Sequence, residues 1–484
     1  MINDDIRKKY LPTIGIECHV QLKTKTKLFA AVDNDSRGKE PNTTVSPICF
    51  GLPGTLPVLN DAAIDFGIKA GLALNAEINP VISFDRKHYF YPDLPKGYQI
   101  TQMYQPIVLE GYVDLPGLDK KVKIHHAHLE EDAGKNTHPA GADYSLVDYN
   151  RAGTPLLEIV SEPDMHSAIE AKAFAHELYL LMKYSGVSDV DLYHGNMRFD
   201  VNVSVALADA DELGTRAEVK NLNSFKSVER ASLYEIDRQI ELLEKGKQID
   251  QETRGWDDAK QRTSSQRGKE FAHDYRYMPE PDVPPVEITE ERIAKNKAIM
   301  PIMPSEIRKK LSYAGLNTGQ IETLLNQKQL LNVLLEIIDE ANQKQLKKIA
   351  NWLSVDVQGY ITEQIDLDLD SLKLTGVNLL SLESLVSSNK LSSSGAKEVL
   401  YLLLKEDSNP ESLAKIHNLL QVSDTGEIEK IVDEVIAANP GPAEEVRGGE
   451  TKVIGFLVGQ VMKQSKGQAN PGVVSKLLNQ KLQI

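Results

Sequence analysis

IGIECHVQL, residues 14–22, is the stretch on which the fold turns. Ile14, Ile16, Cys18, Val20 and Leu22 alternate with Gly15, Glu17, His19 and Gln21. A period of two sends the first set to one face of a strand and the second to the other. The strand thus offers an apolar side to a core. Its polar side carries a carboxylate and an imidazole two residues apart. Groups so placed can share one cation; a plain solvent-facing strand would show the same alternation. Cys18 points into the apolar layer, which separates it from His19 and argues against a thiol–imidazole nucleophile.

The pattern recurs downstream. In HHAHLEEDAGK (125–135), an extended backbone puts His126, His128, Glu130 and Asp132 on one side. The run Glu130, Glu131, Asp132 repels itself unless a cation or base neutralises it. A divalent cation held through oxygen, Mg²⁺ above all, would do so; an exposed acidic turn is the alternative. MRFDVNVSV (197–205) sets Arg198, Asp200, Asn202 and Ser204 against Phe199, Val201 and Val203, and TRAEVKN (215–221) adds Arg216, Glu218 and Lys220. Repetition over several strands predicts a curved antiparallel sheet with a polar concave surface. Carboxylates there can hold metal while Arg and Lys hold phosphate. FDRKHYFYPDLPKGYQ (84–99) interleaves Arg86, Lys87, His88 and Lys96 with aromatics. That reads either as a base-stacking, phosphate-neutralising surface or as a turned core segment.

Further out, the chain changes character. Of 29 aromatic residues only Tyr313, Trp352, Tyr360, Tyr401 and Phe456 follow residue 300. The first part is strand-rich; the rest has helical spacing, as in the apolar stripe Ile321, Leu324, Leu325, Leu330, Leu331, Leu334, Leu335, Ile337 and Ile338. The expected class is α+β. A cradle domain is predicted over 1–294, a helical domain over 295–410 and a small helical tail domain over 411–484. NPGPAEEVRGGE (439–450) reads as a mobile linker, and the Ser392–Ser394 run as a helix cap.

Bulk properties set limits. The chain has 484 residues, 41% apolar and 26% charged, and a formal net charge of −15. An acidic body argues against general nucleic-acid binding. The final 34 residues, however, hold five lysines and no Asp or Glu, which suits an RNA-touching tail or an ordinary solvated face. Only Cys18 and Cys49 are present, so a reducing, cytoplasmic setting is expected. No apolar run reaches the ~20 residues of a membrane span, and MINDDIRKKYLPTIG lacks a secretory apolar core. AGKNT (133–137) fails the phosphate-loop pattern.

These motifs, in this order, resemble the B subunit of bacterial and organellar aspartyl/glutamyl-tRNA amidotransferases. IGIECHVQL, GLPGTLPVLN (51–60), FDRKHYFYPDLPKGYQI, HLEEDAGK (128–135), YSLVDYNRAGTPLLEIVSEPD (144–164), EVKNLNSF (218–225), QETRGWD (251–257), DYRYMPEPDVPP (274–285) and IGFLVGQVMKQSKGQANP (454–471) carry the resemblance. It implies ATP- and Mg²⁺-dependent phosphorylation of the side-chain carboxylate of Glu-tRNA(Gln) or Asp-tRNA(Asn). Ammonia from a glutaminase partner (the A subunit) then attacks, and a third, small partner (the C subunit) completes a heterotrimer. Glu17, His19 and Glu131 match the metal positions, with Glu130 beside them. Asp200 and Glu218 match further acidic site positions, and Lys87 and Lys96 match lysines of the ammonia route. Arg151, Glu158 and Arg198 are carried over as further site members for the nucleotide.

Two departures stand out. The family's four-cysteine zinc knuckle is reduced to Cys49, with Ala30, Val32 and Ser46 at the other positions, so zinc is not expected. His194 stands where the family usually has Glu. The rival reading is a non-catalytic protein that binds tRNA and assembles the complex; the retained Glu17, His19, Glu130, Glu131, Asp200 and Glu218 favour the enzyme.

Overall fold

The computed structural model describes residues 2–268, 274–364, 369–421, 425–465 and 469–482. The chain divides into two compact units, Met1–Pro304 and Ser305–Ile484. The class is α+β, as the sequence indicates.

The first unit is built on an eight-stranded sheet. Its strands are β1 (Tyr10–Gln21), β4 (Gly111–Leu115), β5 (Lys120–Glu131), β6 (Pro155–Ser161), β7 (Met197–Leu207), β8 (Ala217–Leu222), β9 (Glu252–Asp257) and β10 (Arg262–Gly268). Two short strands between β1 and β4, β2 (Asp85–His88) and β3 (Tyr98–Thr101), pair with each other and, through β2, with Met278–Pro279 in a separate sheet. The large sheet runs β10-β9-β8-β7-β1-β6-β5-β4, so β1 lies at its middle. All its pairings are antiparallel except β8 with β9. The sheet is thus antiparallel as expected at every pairing but this one, which makes it mixed. A helix, Phe225–Glu244, fills the connection between β8 and β9, and a helical crossover brings the chain back parallel.

The alternation in β1 is obeyed. Ile14, Ile16, Cys18 and Val20 are fully buried in the core. Helices α1 (Asp61–Ala73), α2 (Ala168–Ser185) and α3 (Phe225–Glu244) contribute to the same core through Ile64, Ile68, Phe174, Leu178, Val228 and Ile236. Their starts are locally encoded: Asn60, Ser167 and Ser224 each accept a hydrogen bond from a first-turn backbone N–H. Gly186 ends α2 at φ +73°, a left-handed position that a side chain would strain. With helices packed on the apolar side, the polar side of the sheet is left for chemistry. Truncating one buried side chain such as Phe174 would cost about 3–5 kcal/mol.

The second unit is helical. The apolar stripe predicted from 321 to 338 is buried except for the half-buried Leu335, but Gln327 breaks it between α4 (Thr318–Asn326) and α5 (Lys328–Leu335), and Ile337 and Ile338 lie in the turn beyond α5. Helix α6 (Gln343–Asn351) continues into a π-helical stretch, Trp352–Val357. Ser392 caps α7 (Ser393–Leu403) as expected, accepting from the Gly395 N–H at 3.1 Å. Near the end, α8 (Thr425–Ala438), α9 (Pro440–Arg447), α10 (Ile454–Gln464) and α11 (Pro471–Leu482) share a small core of Val432, Val446, Leu457, Val461 and Leu478. The linker expected at 439–450 is largely helix. Pro440 sits in the first turn, where its missing N–H does no harm, and Ala443 and Val446 are buried. No helix among the described residues is long and apolar enough to cross a membrane.

Candidate active site

Pairing sets the polar side chains of the sheet into rows. His128 on β5, Glu158 on β6, His19 on β1 and Arg198 on β7 lie directly across from one another. One row along are His126, Val160, Glu17 and Asp200. The next holds Gly15, Asn202, Glu218 on β8 and Thr253 on β9. Two groups of possible ligands result, each with its donor atoms within 4.8 Å of one another: His19, Glu130 and Glu158, and Glu17, Asp200 and Glu218.

The first centre is buried and crowded with cations. Glu158 Oε2 lies 3.4 Å from His19 Nε2 and 3.6 Å from His128 Nε2. His128 Nε2 is also 3.5 Å from Glu130 Oε2, to which Thr101 Oγ1 donates at 3.3 Å. Burial raises the Glu158 carboxyl, but His128 and His19 outweigh it and hold it well below the usual range. Glu130 is likewise pulled down, by His128 and Lys87 against burial. Burial lowers His19 and His128, yet Glu158 carries both above their ordinary value. Burial also lowers Lys87, and Glu130 outweighs it in the same way. His126, stacked on His128 with ring centroids 5.2 Å apart, is pushed down to about 4 by burial and its histidine neighbours. A cavity of about 820 Å³ opens on this centre, lined by Lys87, Thr101, Gln102, His126, His128 and Glu158.

The second centre is all oxygen. One oxygen of each carboxylate is fixed by a neutral donor. Asn202 Nδ2 donates to Glu17 Oε1 at 2.9 Å, Thr253 Oγ1 to Glu218 Oε2 at 2.9 Å, and the Asn221 backbone N–H to Asp200 Oδ1 at 2.7 Å. That last bond needs the local irregularity between β7 and β8 and a left-handed Asn221 at φ +60°. Strained backbone beside a polar cluster is a mark of functional sites. Lys220 Nζ lies 2.9 Å from Glu218 Oε1 and 3.4 Å from Asp200 Oδ2. Burial lowers Lys220, but Asp200 and Glu218 outweigh it and raise the ammonium above its ordinary value. Burial and the charges of Glu158 and Glu218 push Glu17 up. Beside Glu17 a second cavity, about 690 Å³, is lined by Gly15, Asn202, Ser204, Gly214 and Arg216.

The structure thus redistributes the expected set. Glu17 and His19, predicted to share one metal with Glu131, fall into different centres. Glu131 joins neither. Being next to Glu130 on β5, it projects to the opposite side. There it pairs with Lys96 and accepts the Ile100 N–H at 3.0 Å. Lys87 lines the first cavity, whereas Lys96 is held by Glu131 and lies 5.4 Å over the Tyr98 ring. Arg198 bonds Asp132 at 3.2 Å. Arg151 lies 3.3 Å from Asp132 and donates to the Ala133 and Gly134 carbonyls at 3.0 and 2.8 Å. Both arginines therefore brace the turn after β5 instead of reaching freely into either large cavity. His194 pairs with Asp191 at 2.6 Å.

Glu158, carried over only as a companion residue, is the hub of the first centre. A lone carboxylate in PLLEIVS was the available signal. The alternation had put Asn202 on the polar face without a role; Thr101 and Thr253 come from strands whose pairing the sequence does not announce.

Known proteins resemble this chain along most of its length. Residues 12–294 match the family model described as the GatB/GatE catalytic domain, and residues 332–482 match the GatB domain. The chain is 43% identical to the B subunit of the aspartyl/glutamyl-tRNA(Asn/Gln) amidotransferase of Thermosynechococcus vestitus, covering 98% of this chain and 96% of that one. It is 44% identical to the same-named protein of Agathobacter rectalis, over 97% and 99%. It is also 44% identical to the B subunit of the chloroplastic/mitochondrial glutamyl-tRNA(Gln) amidotransferase of Ricinus communis, over 99% and 88%.

Proposed function

The chain belongs to the family of tRNA-dependent amidotransferase B subunits, and from that premise we propose that it phosphorylates the side-chain carboxylate of Glu-tRNA(Gln) or Asp-tRNA(Asn) with ATP and directs ammonia onto the product. The observation that carries this reading is the pairing of two three-ligand centres on one sheet face, each beside its own cavity. Two substrates must meet, and β1 supplies one ligand to each centre.

The donor sets suit the work. Three carboxylates form a hard, all-oxygen site of the kind Mg²⁺ takes with nucleotide phosphates. One imidazole and two carboxylates accept Mg²⁺ or a related divalent ion. Divalent cations held at these centres would neutralise phosphoryl and carboxylate oxygens. Everything else falls to the chain. Arg216 lines the second cavity as a cation for a polyphosphate. Asn202, Thr253 and the Asn221 N–H fix the carboxylates so that little reorganisation accompanies transfer. Phosphoryl transfer to a carboxylate needs alignment and charge neutralisation more than a base. The phosphorylated carboxylate then has a good leaving group. Ammonia adds to its carbonyl carbon, the C–O bond to phosphate breaks, and one ammonia proton passes to the departing phosphate, leaving an amide and inorganic phosphate. Lys87, kept charged by Glu130, stands in the first cavity to stabilise the developing oxyanion.

On the same reading the glutaminase A subunit supplies the ammonia, the small C subunit joins the two, and the tail meets tRNA. The tail's basicity is local: Lys481 pairs with Glu429 and Asp433 of α8. Lys466 lies outside the described residues.

The test is reconstitution with the glutaminase and small subunits. Glutamine- and ATP-dependent conversion of Glu-tRNA(Gln) and Asp-tRNA(Asn) is followed by separating the charged amino acids. Conversion of at least one, with ATP cleaved, is expected. A complex that assembles, binds these tRNAs and hydrolyses glutamine yet never cleaves ATP would leave only the assembly role.

A further inference from the structure

Lys220 occupies the place a cation would take in the all-oxygen centre. Its Nζ lies 2.9 Å from Glu218 Oε1 and 3.4 Å from Asp200 Oδ2. These are the oxygens that the fixed donors leave over. Thr253 already holds the other oxygen of Glu218, and the Asn221 N–H the other oxygen of Asp200. Glu17 shares the cluster but makes no ion pair among the described residues.

Removing the ammonium would therefore not scatter the carboxylates, because neutral donors keep each one aimed. It would leave three carboxylates facing one another. The Lys220 side chain is still 38% exposed, whereas that of Asp200 is 6% exposed. A lysine stem of four methylenes can swing out while the carboxylates stay. Glu17 of this cluster lines the cavity that Arg216 also lines, so an anionic ligand bound there would lie beside the same cluster that Lys220 serves.

We propose that Lys220 is a displaceable counter-cation: its ammonium neutralises the Glu17–Asp200–Glu218 centre when empty, competes with a divalent ion for it, and turns to the polyphosphate when metal and nucleotide enter together. This rests on the reading of that centre as a metal site. Lys220 is thus a positioning residue with two opposed effects. It weakens binding of metal alone and strengthens binding of metal with nucleotide. Coupling of this kind keeps the centre from filling with metal before the nucleotide arrives.

The opposed signs make the test sharp. Mn²⁺ alone is titrated into the full chain and free ion is read by electron paramagnetic resonance. Asp200→Asn identifies the class of sites that belongs to this centre. Lys220→Gln is expected to tighten that class about tenfold and leave the remaining class unchanged. Lys220→Arg should behave like the parent. In parallel, equilibrium dialysis of Mn²⁺ with a non-hydrolysable ATP analogue should show Lys220→Gln binding the nucleotide about tenfold more weakly. A lysine that merely supports the fold would weaken both, and that outcome overturns the inference. So does unchanged Mn²⁺ affinity in Lys220→Gln when Asp200→Asn removes the class. If Asp200→Asn removes no Mn²⁺ at all, the metal reading of the centre falls, and the inference with it. Thermal melts guard against misfolding: metal-free Lys220→Gln should melt below the parent and recover on adding Mn²⁺.

Discussion

The two carboxylate centres begin two residues apart on β1 and balance their charge in opposite ways. The His19 centre is neutralised from within: Glu158 is shared by His19 and His128, and Lys87 stands nearby. The Glu17 centre is held mainly by neutral donors and carries one half-exposed ammonium. A buried charge with buried partners is locked, since removing either side strands the other in a poor solvent. A charge held by amides and hydroxyls can exchange its cation. The first centre keeps buried cations of its own, whereas the second holds a single cation near the surface.

The strongest way to break this comparison is to neutralise matching carboxylates. Glu158→Gln should lower amidation by about a thousandfold or more, and cost about 3–5 kcal/mol of stability by leaving His19, His128 and Lys87 without their common anion. Glu218→Gln should cost about tenfold in activity, be partly restored by raising Mg²⁺, and barely change stability. Activity assays across a metal series, with urea denaturation beside them, decide it. Equal losses in both variants would mean the centres do not differ as described.

Glu131 sharpens the boundary of the first centre. It is 4% exposed and its partner is Lys96. Glu131→Gln should destabilise the protein by about 3 kcal/mol by stranding a buried ammonium. Metal affinity should stay within about twofold, because the side chain faces away. A Mn²⁺ affinity that collapses while denaturation midpoints hold would return Glu131 to the metal site.

The smallest effect is a pH slope. His19 and His128 have folded pKa values above the unfolded one. Their contribution to stability is therefore complete below about pH 6.5 and is lost as pH rises through the folded values. Each whole pH step between the unfolded and folded values is worth about 1.4 kcal/mol. Metal-free protein in chelator should lose stability between neutral and mildly alkaline pH. Burial lowers Lys220, but Asp200 and Glu218 hold it above its ordinary value, so it stays charged throughout and adds no slope there. The His19→Asn, His128→Asn double variant should flatten the curve; an unchanged slope would show that the histidines carry no charge in the fold.

The strand IGIECHVQL was legible because alternation is a local property of an extended chain, and Cys18 lies in the core as its parity requires. The polar faces of β5, β7 and β8 were legible for the same reason. The grouping of their residues was not. Glu17 and His19 share a strand face, yet each finds its ligand partners across pairings to strands more than a hundred residues away. Glu131 shows the limit from the other side: adjacent to Glu130 in sequence, it pairs with Lys96 and the Ile100 N–H and stays out of both ligand groups, whereas Glu130 joins His19 and Glu158. The helix at Pro440–Arg447 was missed because proline and glycine dominate its local signal, while two buried contacts decide its state.

Sequence by itself determined the polar and apolar sides of each strand, the helix caps, the family and the inventory of charged groups, since all of these depend on neighbours in the chain. Tertiary structure alone decided that the inventory forms two centres with different counter-ions. Register between distant strands sets which carboxylates meet, and burial sets which cations must stay with them.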